Sequence, residues 1–259
     1  MTRGRPDSQE LLAGPHAVYE ALAAGRRTIR RIVIARHEQG GTLEALRALA
    51  RKHGVPLDER PRQEMDRSLP GATHQGVIAE AGPFPYAEPE DILEAAMADG
   101  GRRFLVALDG VQDPQNLGAI IRSAEAAGAD GLIVPRDRAA GVSPAVSRAS
   151  AGAAEHLPIA QVTNFAIFLT TARRTGLWTV GTDAAQGQAL FAADLGGPLV
   201  LVIGGEGKGL RQLTRERCDV LVHIPMHGRI ASLNASAAAA VCLFEVARQR
   251  GVDRITSKR

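Results

Sequence analysis

The chain has 259 residues, 45% of them apolar and 23% charged, an ordinary globular composition that supports one large or two modest domains with cores of their own. No apolar run reaches transmembrane length, and the opening MTRGRPDSQE has no hydrophobic signal segment. The two cysteines, Cys218 and Cys242, lack metal-ligand or redox spacing, so a reduced, cytoplasmic setting with no metal and no membrane partner is expected. Net charge is +3 and all of it lies early: residues 1–82 hold 13 Lys or Arg against 10 Asp or Glu, residues 83–259 hold 18 of each.

Within the first third, residues 15–24 (PHAVYEALAA) read as a helix closed by Gly25, 29–35 as a strand, and 42–53 as a helix with Leu43, Leu46 and Ala50 on one face. Residues 55–57 and 77–81 read as strands, with a short helix over 62–69 between them. This is a small α/β sandwich, large enough to fold, with no nucleophile and base close together in sequence. Arg26, Arg27, Arg30, Arg31 and Arg36 cluster within it. They are either a phosphate-binding patch or a solvated basic face, and aromatics at 3% argue against a base-stacking platform. His74-Gln75-Gly76 leads into the last strand, either as a capped turn or as a ligand contact.

Three prolines and a glycine in residues 82–89 (GPFPYAEP) read as a linker, so the expected division is a substrate domain over 1–82, a linker over 83–100 and a second domain over 101–259. A helix over 91–98 follows, and Gly100-Gly101 opens the next strand. From Arg103 strands (104–108, 131–134, 157–160, 177–181, 199–203, 220–224) alternate with helices (116–127, 144–151, 165–175, 210–215, and from 234 onward). Such alternation predicts an α/β fold, a parallel sheet covered on both sides.

Three stretches of this region carry chemistry. In DGVQDPQNLGAIIRSAEAA (109–127), Leu117, Ile120, Ile121 and Ala124 form the buried stripe and Asn116 is placed to cap the helix. Arg122 lies off that stripe among Gly118, Ala119 and Ala126, a face of small residues that another chain or a substrate would approach closely. In LVLVIGGEGKGL (199–210) an apolar strand breaks into Gly204, Gly205, Gly207 and Gly209 around Glu206, placing a ligand at a strand's carboxyl end. Gly207-Lys208 is followed by Gly209 rather than Ser or Thr, which excludes a P-loop, and the run comes too late in the chain for a dinucleotide fingerprint. The third stretch, IPMHGRIASLNASAAAAVCLFE (224–245), is a strand end, a polar turn and an Ala-rich helix that Ser232 or Asn234 would cap.

NLGAIIRSAEAAG, VIGGEGKG and IPMHGRIASLNASAAAA together resemble motifs one, two and three of the SpoU (TrmH) family of RNA ribose 2′-O-methyltransferases, in matching order over residues 103–250. The first third resembles the substrate-binding domain of the ribosomal-RNA branch, and DGVQDPQNLGAIIRSA with QVTN (161–164) is most similar to members acting on a guanosine of 23S rRNA. The resemblance implies a trefoil-knotted catalytic domain, an exception to the rule against threaded chains. It also implies a homodimer with a composite site, ribosomal RNA as substrate, and S-adenosylmethionine held by the main chain of Thr182, Gly204, Gly205, Ile224, Met226 and Leu233. Asn116, Arg122, Glu206, Ser232 and Asn234 match the family's polar site residues, and Arg26, Arg27, Arg30 and Arg31 become candidate RNA contacts. His227 and Arg229 occupy a turn that varies within the family.

Methyl transfer from a sulfonium to a ribose hydroxyl is an in-line displacement needing no metal, so the protein's work is alignment and easing the loss of a weakly acidic proton. A guanidinium stays protonated, so Arg122 is better suited to holding a phosphate and stabilising the developing alkoxide than to taking a proton. Glu206, hard to explain structurally between glycines, is expected to touch Arg122 or the substrate and to fix its loop. A tRNA methyltransferase of the same family and a non-catalytic RNA-binding protein are the alternatives.

Overall fold

The computed structural model describes residues 9–71, 73–98, 103–184, 186–207, 209–230 and 232–251, which form two compact units. The first comprises the chain up to Pro85 together with Val142–His156, the second Tyr86–Gly141 together with the chain from Leu157.

The first unit contains β1 (Glu10–Ala13), α1 (Pro15–Ala24), β2 (Ile29–Ala35), α2 (Gly41–His53), β3 (Leu57–Arg60), α3 (Arg62–Ser68) and β4 (Val77–Ala81). Its sheet runs β1-β4-β2-β3, with β4 antiparallel to both neighbours and β2 parallel to β3. Alternation along β2 decides what covers each face: Ile32 and Ile34 pack with Leu46 of α2 and Val18 of α1, while Val33 and Ala35 pack with Ile78 and with Met65 of α3. Strand β1 escapes the sequence reading because its four residues follow a polar stretch, and the strand expected at 55–57 is paired over Leu57–Arg60.

The second unit contains α4 (Pro89–Ala98), β5 (Phe104–Asp109), α5 (Pro114–Ala126), β6 (Gly131–Pro135), β7 (Ile159–Val162), α7 (Phe165–Arg174), β8 (Trp178–Thr182), β9 (Gln188–Ala189), β10 (Leu199–Gly204), α8 (Gln212–Arg217), β11 (Val220–His223) and α9 (Ala235–Gln249), while α6 (Pro144–Ala149) belongs to the first. Its sheet runs β7-β6-β5-β10-β8-β11-β9, and every paired neighbour is parallel. All six residues of β5 are buried, as a strand covered on both faces requires. Leu117, Ile120, Ile121 and Ala124 are fully buried, and at roughly 1.5–3 kcal/mol for each large apolar side chain this stripe holds α5 to the sheet. Burial pushes the thiols of Cys218 and Cys242 up to about 12, so both stay protonated and unreactive near neutrality.

Two segments fall elsewhere than the sequence division puts them. Helix α4, inside the expected linker, buries Ile92 and Leu93 in the core of the second unit. Val142–His156, inside the expected catalytic region, packs in the first unit because it supplies the partners of a buried arginine. Arg27 is 7% exposed, and its guanidinium donates to Glu155 Oε2 (3.1 Å), Glu10 Oε2 (3.0 Å) and Ser147 Oγ (3.1 Å), with the Phe84 ring 5.5 Å away. Gly100-Gly101 lie outside the described residues.

Glu155→Ala should cost about 3–5 kcal/mol in urea unfolding, because it leaves the Arg27 charge buried with one carboxylate fewer. Glu10 behaves differently. Burial raises its carboxyl above the usual range despite the Arg27 charge that lowers it, so its protonated form is the one the fold favours. Stability from that preference is present at low pH and fades as pH rises through the folded value. Glu10→Gln should therefore melt no lower than wild type at pH 7, with any advantage vanishing towards pH 4; a large loss at pH 7 would contradict this.

Candidate functional site

The carboxyl ends of β8, β10 and β11 lie side by side, and this juxtaposition builds the site. Val202 pairs with Gly181 and Val222 with Thr182, so Thr182, Gly204 and Ile224 end up on one rim although they span 42 positions of sequence. Thr182 Oγ1 donates to the Val202 carbonyl (3.2 Å), tying two of these ends together.

The glycine run folds as a tight loop returning on strand β5. Gly205 N donates to the Asp109 carbonyl (3.1 Å), Gly209 N to the Gly205 carbonyl (3.2 Å), and Arg211 N to Asp109 Oδ2 (2.8 Å). Asp109 is 2% exposed and clamps both ends of the loop, yet it does not stand out in the sequence, where it reads as the last residue of a strand. Its Oδ1 has no hydrogen-bond partner and faces Arg211 Nε at 3.5 Å. A Cβ on Gly204 would lie 2.3 Å from the Gly209 carbonyl carbon, and one on Gly205 2.4 Å from the Gly110 carbonyl oxygen. The chain's own backbone therefore demands glycine at both positions. Gly207 differs: its surroundings are open, and its φ of +77° is what excludes other residues.

The loop presents Glu206 to the start of two helices. Asn116 Nδ2 donates to Glu206 Oε1 (2.8 Å), and Asn234 Nδ2 donates to Asn116 Oδ1 (3.2 Å). Asn116 does not cap α5, contrary to the sequence expectation. Asp113 does, accepting from Gln115 N and Asn116 N, because the helix begins at Pro114, and this frees the Asn116 amide. Asn234 does both jobs, since its Oδ1 accepts from Ser236 N, Ser236 Oγ and Ala237 N while its amide nitrogen reaches Asn116. The amide orientations follow from these bonds, and among the described residues no donor reaches the second oxygen of Glu206.

Arg122 and Ser232 are exposed and take no part in this chain of bonds. The contact expected between Glu206 and Arg122 is not made among the described residues; Asn116 is the side chain that reaches the carboxylate. Arg122 shares an outward stripe with Gln115, Ala119 and Ala126, and among the described residues nothing pairs with its guanidinium. Beyond β11, Met226 (38%), Ile230 (75%) and Leu233 (41%) are exposed large apolar side chains, and Pro225–Ile230 makes no backbone hydrogen bond among the described residues. That concentration of uncovered apolar surface and unpaired main chain is the signature of a ligand rim. Gly205 faces β5 rather than this rim.

The early arginines divide. Arg27 is not available to a phosphate, because the buried network described above consumes its guanidinium; sequence clustering could not distinguish it from its neighbours. Arg26 is half-buried and donates to the carbonyls of Glu155 (3.3 Å) and Pro85 (3.4 Å). Arg31 pairs with Glu80 and lies 3.6 Å from Asp58, while Arg30 is exposed. His74 is 2% exposed and serves its turn: Nδ1 accepts from Gly76 N (3.1 Å), which leaves Nε2 to donate to Asp66 (2.8 Å). Among the described residues no group of three His, Cys, Asp or Glu could hold a metal, and no helix is long and apolar enough to cross a membrane.

The SpoU rRNA methylase family model matches residues 103–244, the whole strand-helix region that carries this rim. The chain belongs to the SpoU methylase family. Residues 11–87 match the RNA 2′-O ribose methyltransferase substrate-binding model. A 23S rRNA (guanosine-2′-O-)-methyltransferase, RlmB of Pseudomonas putida, is 44% identical over 95% of this chain and 98% of its own length. Among solved SpoU structures, AviRb of Streptomyces viridochromogenes in complex with AdoMet superposes with a TM-score of 0.75 at 30% identity, covering 95% of this chain and 94% of that one. The AdoMet-bound rRNA methyltransferase of Sinorhizobium meliloti gives 0.76 at 29% identity, covering 93% and 87%.

In this SpoU chain the two kinds of glycine should be separable by urea unfolding. Gly204→Ala should lose about 3 kcal/mol or more, or fail to fold, since a methyl group cannot share space with the Gly209 backbone. Gly207→Ala should lose about 1–2 kcal/mol, the cost of a left-handed backbone alone. Equal losses would mean that the loop does not return on β10 as described.

Proposed function

We propose that this chain transfers a methyl group from S-adenosylmethionine to the ribose 2′-oxygen of a guanosine in 23S rRNA, acting as a cytoplasmic homodimer. The observation that carries the reading is the hydrogen-bonded chain Asn234–Asn116–Glu206, which locks two helix starts and the glycine loop beside the rim formed by β8, β10 and β11. The full-length match to a 23S rRNA enzyme, first unit included, favours ribosomal RNA over tRNA.

The residues present fit the cofactor. The exposed apolar side chains of Met226, Ile230 and Leu233 would cover an adenosyl group, and the unpaired main chain of Pro225–Ile230 with the strand ends at Thr182, Gly204 and Ile224 would bond its edges. When bound, S-adenosylmethionine supplies an electrophilic methyl on a sulfonium. Gly205 supports this cradle from behind, by letting the loop close on Gly110.

The chain's own groups then arrange the acceptor. The second oxygen of Glu206 accepts from a donor of the nucleotide, the Asn116 amide holds the carboxylate and is itself held by Asn234, and the Ser232 hydroxyl stands on the same segment as Asn234. Arg122 fixes the substrate phosphate and stabilises charge developing on the 2′-oxygen, so that the proton leaves through the phosphate or water. The knot expected of the family would place the segment carrying Ile224 to Asn234 through a loop of the chain. Phe244 on α9 (53% exposed) and Phe191 (57%) supply apolar surface for a second subunit, and Gln115, Arg122 and Ala126 of α5 are exposed.

Mapping ribose methylation of rRNA and tRNA after incubation with S-adenosylmethionine tests the activity: one new 2′-O-methylguanosine in 23S rRNA is expected, and no rRNA methylation would overturn it. Arg122→Ala should lower single-turnover rate about 10²–10³-fold with S-adenosylmethionine affinity retained. Arg122→Lys with an unchanged rate and pH profile would remove any special role for the guanidinium. Phe244→Arg should shift the sedimenting species from dimer to monomer.

A further inference from the structure

The sheet of the first unit is covered unequally. Helices α1 and α2 pack on one face, Met65 of α3 packs on the other, and among the described residues a recess of about 380 Å³ opens beside α3 over the sheet. All four strands line it. Its floor is apolar, with Val33 of β2, Ile78 of β4 and Met65 of α3, each at most 9% exposed. Its rim is charged: Arg60 at the end of β3, and the paired Arg31 and Glu80.

We propose that this recess takes one unstacked nucleotide of the substrate RNA, a reading that rests on RNA being the substrate. The volume suits a single nucleotide and is too small for a duplex. Sequence-specific readers of RNA commonly splay a base onto an open four-stranded sheet and hydrogen-bond its edge. The floor here contains no aromatic ring, so the planar Arg31 guanidinium, held flat by Glu80 and by Asp58 at 3.6 Å, supplies the stacking surface. Glu80 offers a carboxylate acceptor to base amino or imino hydrogens. Arg60 is the phosphate contact: its side chain pairs with nothing among the described residues, although its backbone carbonyl accepts from Arg36 N (2.9 Å). Of the arginines in this unit, Arg27 is neutralised and buried, whereas Arg60 combines a free charge with a recess of nucleotide size.

Two full-length variants test this, Arg60→Ala at the rim and Val33→Trp to fill the recess, using a transcript of large-subunit rRNA and a fluorescent single-stranded RNA read by anisotropy. Both variants should weaken single-strand binding and raise KM for the transcript about tenfold, with kcat within twofold and S-adenosylmethionine affinity unchanged. Should Val33→Trp fail to fold, Arg60→Ala carries the test alone, with a duplex competitor as its second measurement. Unchanged single-strand affinity in Arg60→Ala would overturn the proposal, and so would equal weakening towards duplex and single strand. If wild type binds RNA through this recess but methylates none, the assigned activity fails while the nucleotide site stands.

Discussion

The catalytic unit depends on one carboxylate. Asp109 ends β5, and from there its carbonyl and side chain take the Gly205 and Arg211 amides, so the glycine loop is stitched to the middle of the sheet at both ends. Because Gly204 pairs with Asp109 in register, the loop emerges where α5 begins five residues further on. Glu206 can then reach Asn116 across 90 positions of sequence, and Asn116 can reach Asn234 across 118. Three distant motifs meet because one buried acid fixes the strand end from which they are measured. The carboxylate accepts from the Arg211 backbone N–H at 2.8 Å, with the guanidinium of the same residue further off at 3.5 Å, which keeps its position tied to the main chain.

Electrostatics organises the first unit in another way. Burying a guanidinium is costly unless its hydrogen bonds and charge are matched, and Arg27 is matched by Glu155, Glu10, Ser147 and the Phe84 face together. Glu155 comes from a segment 128 residues away, so this is also how the chain marks which of its later residues belong to the earlier fold. The neighbouring Arg31 makes its pairs at the surface and stays partly open to solvent, at 38% of its side chain.

Much of this was legible in the sequence, for physical reasons that differ by element. The stripe Leu117, Ile120, Ile121, Ala124 announces α5 and its buried face, and the apolar runs ending at Leu108 and Ile203 announce fully covered strands. The three motifs identify the family, and one polar residue from each, Asn116, Glu206 and Asn234, joins a single chain of hydrogen bonds, while Arg122 and Ser232 do not. What stayed hidden depends on tertiary contact. Asn116 looks like a cap because Asn favours that position, but Asp113 is one residue before a proline and wins it. Gly204 and Gly205 look like openings for a ligand, yet the chain's own backbone fills the space. Arg27 and Arg30 are indistinguishable by spacing, and only Glu155, from beyond the expected boundary, separates them. Asp109 carries no local signal, since a single acid after a hydrophobic strand is unremarkable until its partners arrive.

The detour of Val142–His156 into the first unit bears on biosynthesis. As the polypeptide leaves the ribosome, its amino-terminal sheet can pair by the time Ala81 has emerged, and Arg27 then has Glu10 beside it, but it must wait for roughly seventy further residues before its second carboxylate, Glu155, appears. By then β5, α5 and β6 of the second sheet have also been made. Completion of the first unit is therefore timed by translation of the second, and a nascent chain stalled between the two would hold Arg27 against Glu10 alone in an unfinished core.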